Sequence, residues 1–181
     1  MKRRIFIGIN VSENDSRRIK RQLEKWQGLP VRWAKINNFH LTLLFLGYID
    51  DDNLAEICQQ VRGVTEKFSA FEIEFKNIEL APDLKNPRMI WLSGKASEEL
   101  KNLQEEIEKA LDIFTRPKKM LRPHITLGRI KRIRWNSLET KPKLNDKFKM
   151  ILPVDNLEIM ESVFDEGHIE YLHLETCPLS D

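Results

Sequence analysis

The sequence is poor in the features that define several common classes of protein. It has only two cysteines in 181 residues, Cys58 and Cys177, and no CxxC spacing, so neither a disulfide framework nor a cysteine-based zinc site is expected. Two free thiols predict a reducing compartment and hence a cytoplasmic location. No stretch approaches the ~20 apolar residues of a membrane span, and the apolar run before Asn10 is too short for a signal peptide.

The chain also lacks a strong net charge. The 30 Lys and Arg residues nearly balance 28 Asp and Glu residues and give +2, so net charge alone does not imply a polyanionic partner. A hydrophobic fraction of 41% and a charged fraction of 32% are typical of a soluble globular protein. At roughly 150 residues per domain, the length predicts one domain over residues 1–181, built as two lobes that share a core.

Hydrophobic periodicity predicts a chain that mixes strands and helices. One helix is expected after the N-cap candidate Ser12, a second after 50–52, and a third over 98–111. Residues 135–149 are polar, contain Pro142 and are predicted to form a loop. The predicted strands are 3–10, 31–36, 40–46, 68–80, 88–94, 125–130, 154–164 and 168–174.

Two tetrapeptides share the pattern His-x-Thr-x and lie 84 residues apart, one beginning at His40 and the other at His124. The same offset carries strand 4–9 onto 88–93, and it carries the apolar helix positions of the first half onto those of the second. Because one such unit cannot bury its apolar faces alone, two units are expected to pack as a pseudo-twofold pair. The predicted repeat units are residues 4–43 and 88–127.

Each motif presents one imidazole and one hydroxyl to the same side of its strand, because side chains alternate between faces. His40 with Thr42 and His124 with Thr126 therefore face a common cleft. One imidazole can be charged and the other neutral near pH 6.5, which permits concerted acid–base catalysis. The hydroxyls can stabilise an oxygen where negative charge develops. This chemistry suits attack on a phosphodiester without a metal, although spacing alone does not say which histidine is the acid.

The sequence resembles the two-histidine phosphoesterases, in particular the RNA 2′,3′-cyclic phosphodiesterases, also known as 2′-5′ RNA ligases. The matching stretches are RRIFIGI, VRWAKINNFHLTLLFLG, RPHITLGR and the closing strand with Glu161 and Ser162. The resemblance implies an α+β fold of two pseudo-twofold-related lobes. Each lobe would have an antiparallel sheet that lines a central cleft and helices packed outside.

The resemblance also implies an activity that needs no metal and no cofactor. RNA with a terminal 2′,3′-cyclic phosphate would be hydrolysed to a 2′-phosphate. His40 would be the proton donor to the leaving oxygen, His124 the proton acceptor that activates water, and Thr42 and Thr126 the phosphate-binding residues. Reversal of the same steps would join RNA ends through a 2′-5′ linkage. A monomer is expected to suffice.

Additional substrate contacts are predicted around the second motif. Residues 116–134 carry Lys and Arg but no Asp or Glu, and could follow an RNA backbone. Arg129 is the best single candidate for a phosphate contact, but it lies five residues after His124, so a bulge is needed to bring it to the same face. Phe6 and Trp33 could stack on a base.

Two alternatives remain from the sequence. The chain could be a phosphodiesterase for a small cyclic nucleotide or an ADP-ribose cyclic phosphate, which dependence on substrate chain length would distinguish. It could also be a non-catalytic binder of RNA ends, which would bind without turnover.

Overall fold

The computed structural model describes residues 2–112, 121–165 and 168–180. Within them the chain forms nine strands and four α-helices. The strands are β1 (Lys2–Asn10), β2 (Val31–Trp33), β3 (His40–Asp50), β4 (Phe71–Ala81), β5 (Met89–Gly94), β6 (His124–Ile130), β7 (Asn145–Val154), β8 (Asn156–Asp165) and β9 (His168–Pro178). The helices are α1 (Glu13–Leu23), α2 (Asp51–Thr65), α3 (Glu98–Ala110) and α4 (Arg132–Asn136).

The strands form one curled sheet in the order β7-β4-β5-β6-β3-β1-β8-β9, and β2 pairs with β6. Every pairing between these strands is antiparallel, so the predicted α+β class with antiparallel sheets is confirmed. No helix in the described ranges has both the length and the apolar character needed to cross a membrane.

The two strands that carry the His-x-Thr-x motifs meet at the centre of this sheet. They are joined by one antiparallel pair, Leu41 with Ile125, and both residues are fully buried. On one side of this junction lie β1, β8 and β9, and on the other lie β5, β4 and β7. The junction therefore brings the two halves of the chain together at the two motifs.

Helices cover the buried face of the sheet, and α1 and α3 begin in the same way. The Ser12 hydroxyl accepts a hydrogen bond from the Asp15 amide at 3.1 Å, and the Ser97 hydroxyl accepts one from the Leu100 amide at 3.2 Å. Such caps stabilise a helix by about 1 kcal/mol each. The buried positions are Ser16, Ile19 and Leu23 in α1 and Leu100, Leu103 and Ile107 in α3, so the helices repeat at the predicted offset of 84.

The first strand of each half departs from that offset by one residue. Gly8 pairs with Thr42, and Trp91 pairs with Thr126, so the residue equivalent to Gly8 lies 83 positions later. The predicted superposition of 4–9 on 88–93 is therefore wrong by one residue. The connection between strand and helix absorbs the difference, and the shift changes which side chain faces each histidine.

The predicted loop over 135–149 is confirmed for residues 137–144 and wrong at both ends. Trp135 is buried and anchors the short helix α4, while β7 begins at Asn145 and pairs with β4 along its length. The start of β7 looks irregular in sequence because polar residues alternate there with Phe148. Strand β7 is a sheet edge, where charged side chains are common.

Candidate active site

His40, Thr42, His124 and Thr126 share one face at the centre of the sheet. Leu41 and Ile125 point into the core, so the residues on either side of each point the opposite way. The antiparallel register of that pair places Thr126 opposite His40 and Thr42 opposite His124. Diagonal neighbours across such a ladder lie about 7–8 Å apart, so the two imidazoles can stand on either side of one small group. The structure thus brings the four predicted residues together.

Each imidazole is oriented by a carbonyl two residues earlier in the chain. His40 Nδ1 lies 2.8 Å from the Asn38 carbonyl oxygen, and His124 Nδ1 lies 2.7 Å from that of Arg122. Because a carbonyl only accepts hydrogen bonds, Nδ1 carries a proton in both rings. Nε2 is then the atom of each imidazole that is able to exchange a proton with substrate.

The second nitrogen of His40 already contacts the hydroxyl of its own motif. His40 Nε2 lies 3.0 Å from Thr42 Oγ1, and the hydroxyl can donate to the neutral ring or accept from the charged one. This contact keeps Thr42 beside the atom that would transfer a proton. A phosphate bound between the motifs would meet the hydroxyl and the imidazole together.

The imidazoles of the two histidines pack against different side chains, because β1 and β5 correspond at an offset of 83 residues and the two motifs at 84. His124 stacks on the indole of Trp91, with centroids 3.7 Å apart and planes at 21°, and the Arg122 guanidinium lies 5.5 Å from the same indole. The position equivalent to Trp91 beside His40 is Gly8, where a Cβ atom would lie 2.8 Å from the Leu41 carbonyl oxygen. His40 is instead held by Phe6 and Tyr171. The halves of the site are therefore built alike but packed differently.

Both histidines favour the neutral state. Burial is the main cause that lowers the pKa of His40, and positive charge on His124 or His173 lowers it further, while the hydrogen bond to Asn38 opposes the shift. Burial also lowers the pKa of His124, and the positive charge of Arg122 adds to this shift, while the hydrogen bond to the Arg122 carbonyl opposes it. The influence of His124 on His40 means that protonation of one ring disfavours protonation of the other. A singly protonated pair is the state that acid–base catalysis requires.

Two cavities open beside His40, with Ile169 and Tyr171 of β9 between them. One, the basic cavity, is lined by Arg32, Trp33, Ala34, Lys35, Asn38, His40, Thr126, Gly128, Arg129, Ile169 and Tyr171. The other, the aromatic cavity, is lined by Arg4, Ile5, Phe6, His40, Phe45, Gly47, Ser162, Ile169 and Tyr171.

Arg129 reaches the basic cavity because β6 contains a bulge. Thr126 pairs with Trp91 and Gly128 pairs with Ile90, which leaves Leu127 as an extra residue. Strand β3 contains the equivalent bulge at Leu43. The bulge that the sequence required for Arg129 to share the face of His124 is thus present.

The two aromatic candidates lie in different settings. Trp33 is half-buried and lines the basic cavity, where it could meet a base. Phe6 is 2% exposed and packs against His40, Phe45 and Tyr171, so little of its ring is open to a base. Base stacking by either residue stays a prediction.

Several residues of the site had no signal in the sequence. Tyr171 contacts His40 edge-on, with ring centroids 4.7 Å apart, and it separates the two cavities. Its place depends on the pairing of β9 with β8, far along the chain from either motif. Trp91 was part of a predicted strand, and a comparison at an offset of 84 pairs it with Ile7 rather than with Gly8.

Within the described ranges, no three His, Cys, Asp or Glu side chains gather in a way that could hold a metal ion. The thiols of Cys58 and Cys177 are both free, and burial raises the pKa of Cys177 to about 11. Residues Arg116, Lys118 and Lys119 of the predicted basic run lie outside the described ranges, as do Glu166 and Gly167 between the predicted strands 154–164 and 168–174.

A curled antiparallel sheet with two central His-x-Thr-x strands defines a two-histidine phosphoesterase, and comparison with known proteins agrees. Residues 8–91 match the family described as LigT like Phosphoesterase. The RNA 2′,3′-cyclic phosphodiesterase of Archaeoglobus fulgidus is 32% identical over 131 residues, which are 71% of this chain and 73% of that protein. The protein of the same name from Thermotoga maritima is 34% identical over 136 residues, 71% of this chain and 70% of its own length.

This chain therefore belongs to the LigT-like phosphoesterase family, and the resemblance inferred from the motifs is confirmed. A solved structure shows the same fold. Escherichia coli LigT complexed with 3′-AMP superposes with a TM-score of 0.78, at 20% identity and over 100% of both chains.

Proposed function

We propose that this protein hydrolyses the terminal 2′,3′-cyclic phosphate of RNA to a 2′-phosphate, without a metal or a cofactor. The observation that carries the proposal is the pair of central strands, which set two imidazoles and two hydroxyls on one face in opposed register. The names of the A. fulgidus and T. maritima relatives support this choice of substrate.

The mechanism transfers one proton on each side of phosphorus. His124 Nε2 takes a proton from water as the water oxygen attacks phosphorus, and His40 Nε2 gives a proton to the 3′ oxygen as the P–O3′ bond breaks. The assignment of donor and acceptor follows the family resemblance. The Thr42 and Thr126 hydroxyls donate to the non-bridging oxygens, where negative charge develops. If the 5′ hydroxyl of a second RNA attacks phosphorus in place of water, the same two proton transfers break the P–O3′ bond and leave a 2′-5′ linkage.

One copy of the chain contains the whole site, because both motifs lie in one sheet of one chain. We therefore propose a monomer with one two-lobed domain over residues 1–181. A cytoplasmic location is proposed from the two free thiols.

Product analysis tests the proposed reaction directly. RNA that ends in a 2′,3′-cyclic phosphate is expected to turn over at the same rate with and without EDTA and to yield only the 2′-monoester, which phosphorus NMR separates from the 3′-monoester. RNA with a linear 3′-phosphate serves as a control and should remain unchanged. A 3′-phosphate product, or loss of turnover in EDTA, would contradict the proposal.

The pH dependence of kcat/KM should be bell-shaped, with a maximum below about pH 6.5. The pKa values of His40 and His124 are both lowered, so the free enzyme loses its one required proton as the pH rises toward neutrality. At lower pH the second ring is protonated and the base is lost. His173→Gln removes a positive neighbour of His40 and should move the profile to higher pH. A rate that rises steadily to pH 8.5 would exclude a charged acid.

A further inference from the structure

We propose that the RNA chain on the 5′ side of the cyclic phosphate leaves the site through the basic cavity and continues along helix α1. The proposal rests on the proposed function and adds a binding surface for the RNA backbone. The surface is an open groove beside α1, here called the α1 groove, to which four cations (Arg17, Arg18, Lys20 and Arg21) and two carboxylates (Glu13 and Glu24) contribute.

The charge of the two cavities beside His40 indicates through which of them the RNA chain leaves the site. Three cations, Arg32, Lys35 and Arg129, line the basic cavity together with His40, and Lys35 forms an ion pair with Glu170 at 2.6 Å. The aromatic cavity has only Arg4, among largely apolar and aromatic side chains. Because every nucleotide adds a negative phosphate, the sugar–phosphate chain is more stable on the basic side.

One short segment of the chain, residues 35–38, contributes to both the basic cavity and the α1 groove. Lys35 and Asn38 line the basic cavity, and Ile36 lines the α1 groove. Consecutive Cα atoms lie about 3.8 Å apart, so the two surfaces are neighbours, and an RNA strand that passes Lys35 would cross this segment to reach the groove. Residues 36–38 form a short 3-10 turn that packs near α1.

Helix α1 presents its cations to this groove as a stripe. Arg17, Lys20 and Arg21 are spaced i, i+3 and i+4, so they share one face, and Arg17 and Arg21 lie about 6 Å apart along the axis. Arg17 forms an ion pair with Glu13. In the part of the chain that the structure describes, no carboxylate pairs with the side chain of Lys20 or Arg21. These two exposed cations are therefore available to phosphates.

The basic run predicted from the sequence, residues 116–134, offers a different route for the RNA backbone. The contacts of its described residues favour this route less than the one along α1. Arg122 lies over Trp91 and donates to the Pro82 carbonyl oxygen. Beyond Arg129, no residue of the 130–134 stretch lines the basic cavity. The run contributes Arg129 to the basic cavity, while the neighbouring α1 groove offers Lys20 and Arg21 as exposed cations.

The test compares two substrates in the Lys20→Ala/Arg21→Ala variant. One is an RNA of about 12 nucleotides with a 2′,3′-cyclic phosphate, and the other is a cyclic mononucleotide. On the long RNA, KM should rise about five- to tenfold with kcat unchanged, and the slope of log(kcat/KM) against log[salt] should fall by about 1.4, the value for two phosphate contacts. Both constants for the mononucleotide should stay at the wild-type values.

Two further variants serve as controls. Lys67→Ala/Lys101→Ala removes the same charge on the α2–α3 side and should leave KM for the long RNA unchanged. Arg132→Ala/Arg134→Ala tests the alternative route along α4. The proposal is overturned if the wild type shows no preference for the long RNA. It is also overturned if Lys20→Ala/Arg21→Ala lowers kcat/KM equally for both substrates, or if only Arg132→Ala/Arg134→Ala raises KM for the long RNA.

Binding measurements separate this proposal from the proposed function. Fluorescence anisotropy with a 3′-phosphate RNA of the same length requires no turnover. If the wild type hydrolyses no cyclic phosphate, the proposed function fails, yet weaker binding by the α1 variant than by Lys67→Ala/Lys101→Ala still supports the path. Equal binding by both variants overturns the path, whether or not the enzyme is active.

Discussion

Replacement of either His40 or His124 by alanine is expected to lower kcat for cyclic-phosphate RNA by about 10²–10⁴, the usual range for loss of one general acid or base. The imidazoles occupy opposed positions across the central strand pair and each has Nε2 available, so neither can do the work of the other. Because the two act in one concerted step, the double variant should be little worse than the worse single variant.

The fold should survive both substitutions. Each ring is only partly buried, and its Nδ1 hydrogen bond is to a carbonyl two residues away, so little of the core depends on it. Far-UV circular dichroism and the thermal midpoint should therefore stay close to wild type. His173→Ala is the matched control, since His173 also influences His40 but carries no motif, and it should keep most of the activity. Wild-type kcat in either motif variant would end the proposed mechanism.

The arrangement of these four residues could be inferred from sequence because it is local. Alternation along a strand is enough to place His40 with Thr42 and His124 with Thr126 on one side, and the duplicated pattern indicates that two such strands meet. Even the need for a bulge before Arg129 follows from counting residues. The sequence could not predict the pairing of Leu41 with Ile125, and this pairing sets the register in which the two motifs lie opposite each other.

The packing around the imidazoles could not be predicted for a physical reason. A connection longer by one residue in one half shifts its first strand relative to its helix, which places Trp91 beside one histidine and Gly8 beside the other. No local pattern records that shift. Tyr171 is similarly hidden, because β9 reaches the site only through its pairing with β8, where a register irregularity follows Ile159.

Replacement of Thr42 or Thr126 by valine is expected to lower kcat by about 10²–10³, because each change removes one hydroxyl aimed at the developing charge while it keeps the branched shape. Serine at either position retains the hydroxyl and should recover most of the rate. The Thr126 hydroxyl stabilises charge, so Thr126→Val should lose rate evenly across the pH profile, whereas Thr42→Val also removes a hydrogen-bond partner of His40 Nε2 and should in addition shift the limb of the profile to which His40 contributes. A His40 or His124 variant should instead lose the limb of the bell-shaped pH profile that reports the titration of the replaced imidazole.

A comparison of the two threonines gives the sharper result. Thr42 Oγ1 contacts His40 Nε2 at 3.0 Å, whereas Thr126 faces the basic cavity opposite His40. Thr42→Val removes both a phosphate donor and a hydrogen-bond partner of the proton-transferring nitrogen, so it should cost more than Thr126→Val. Thr176→Val is the control, since the Thr176 hydroxyl donates to buried Glu158 at 2.9 Å, outside both cavities. If valine at both motif positions left kcat at the wild-type value, the oxygens of the phosphate would have to be stabilised by other groups, such as the cations Arg32, Lys35 and Arg129 that line the basic cavity.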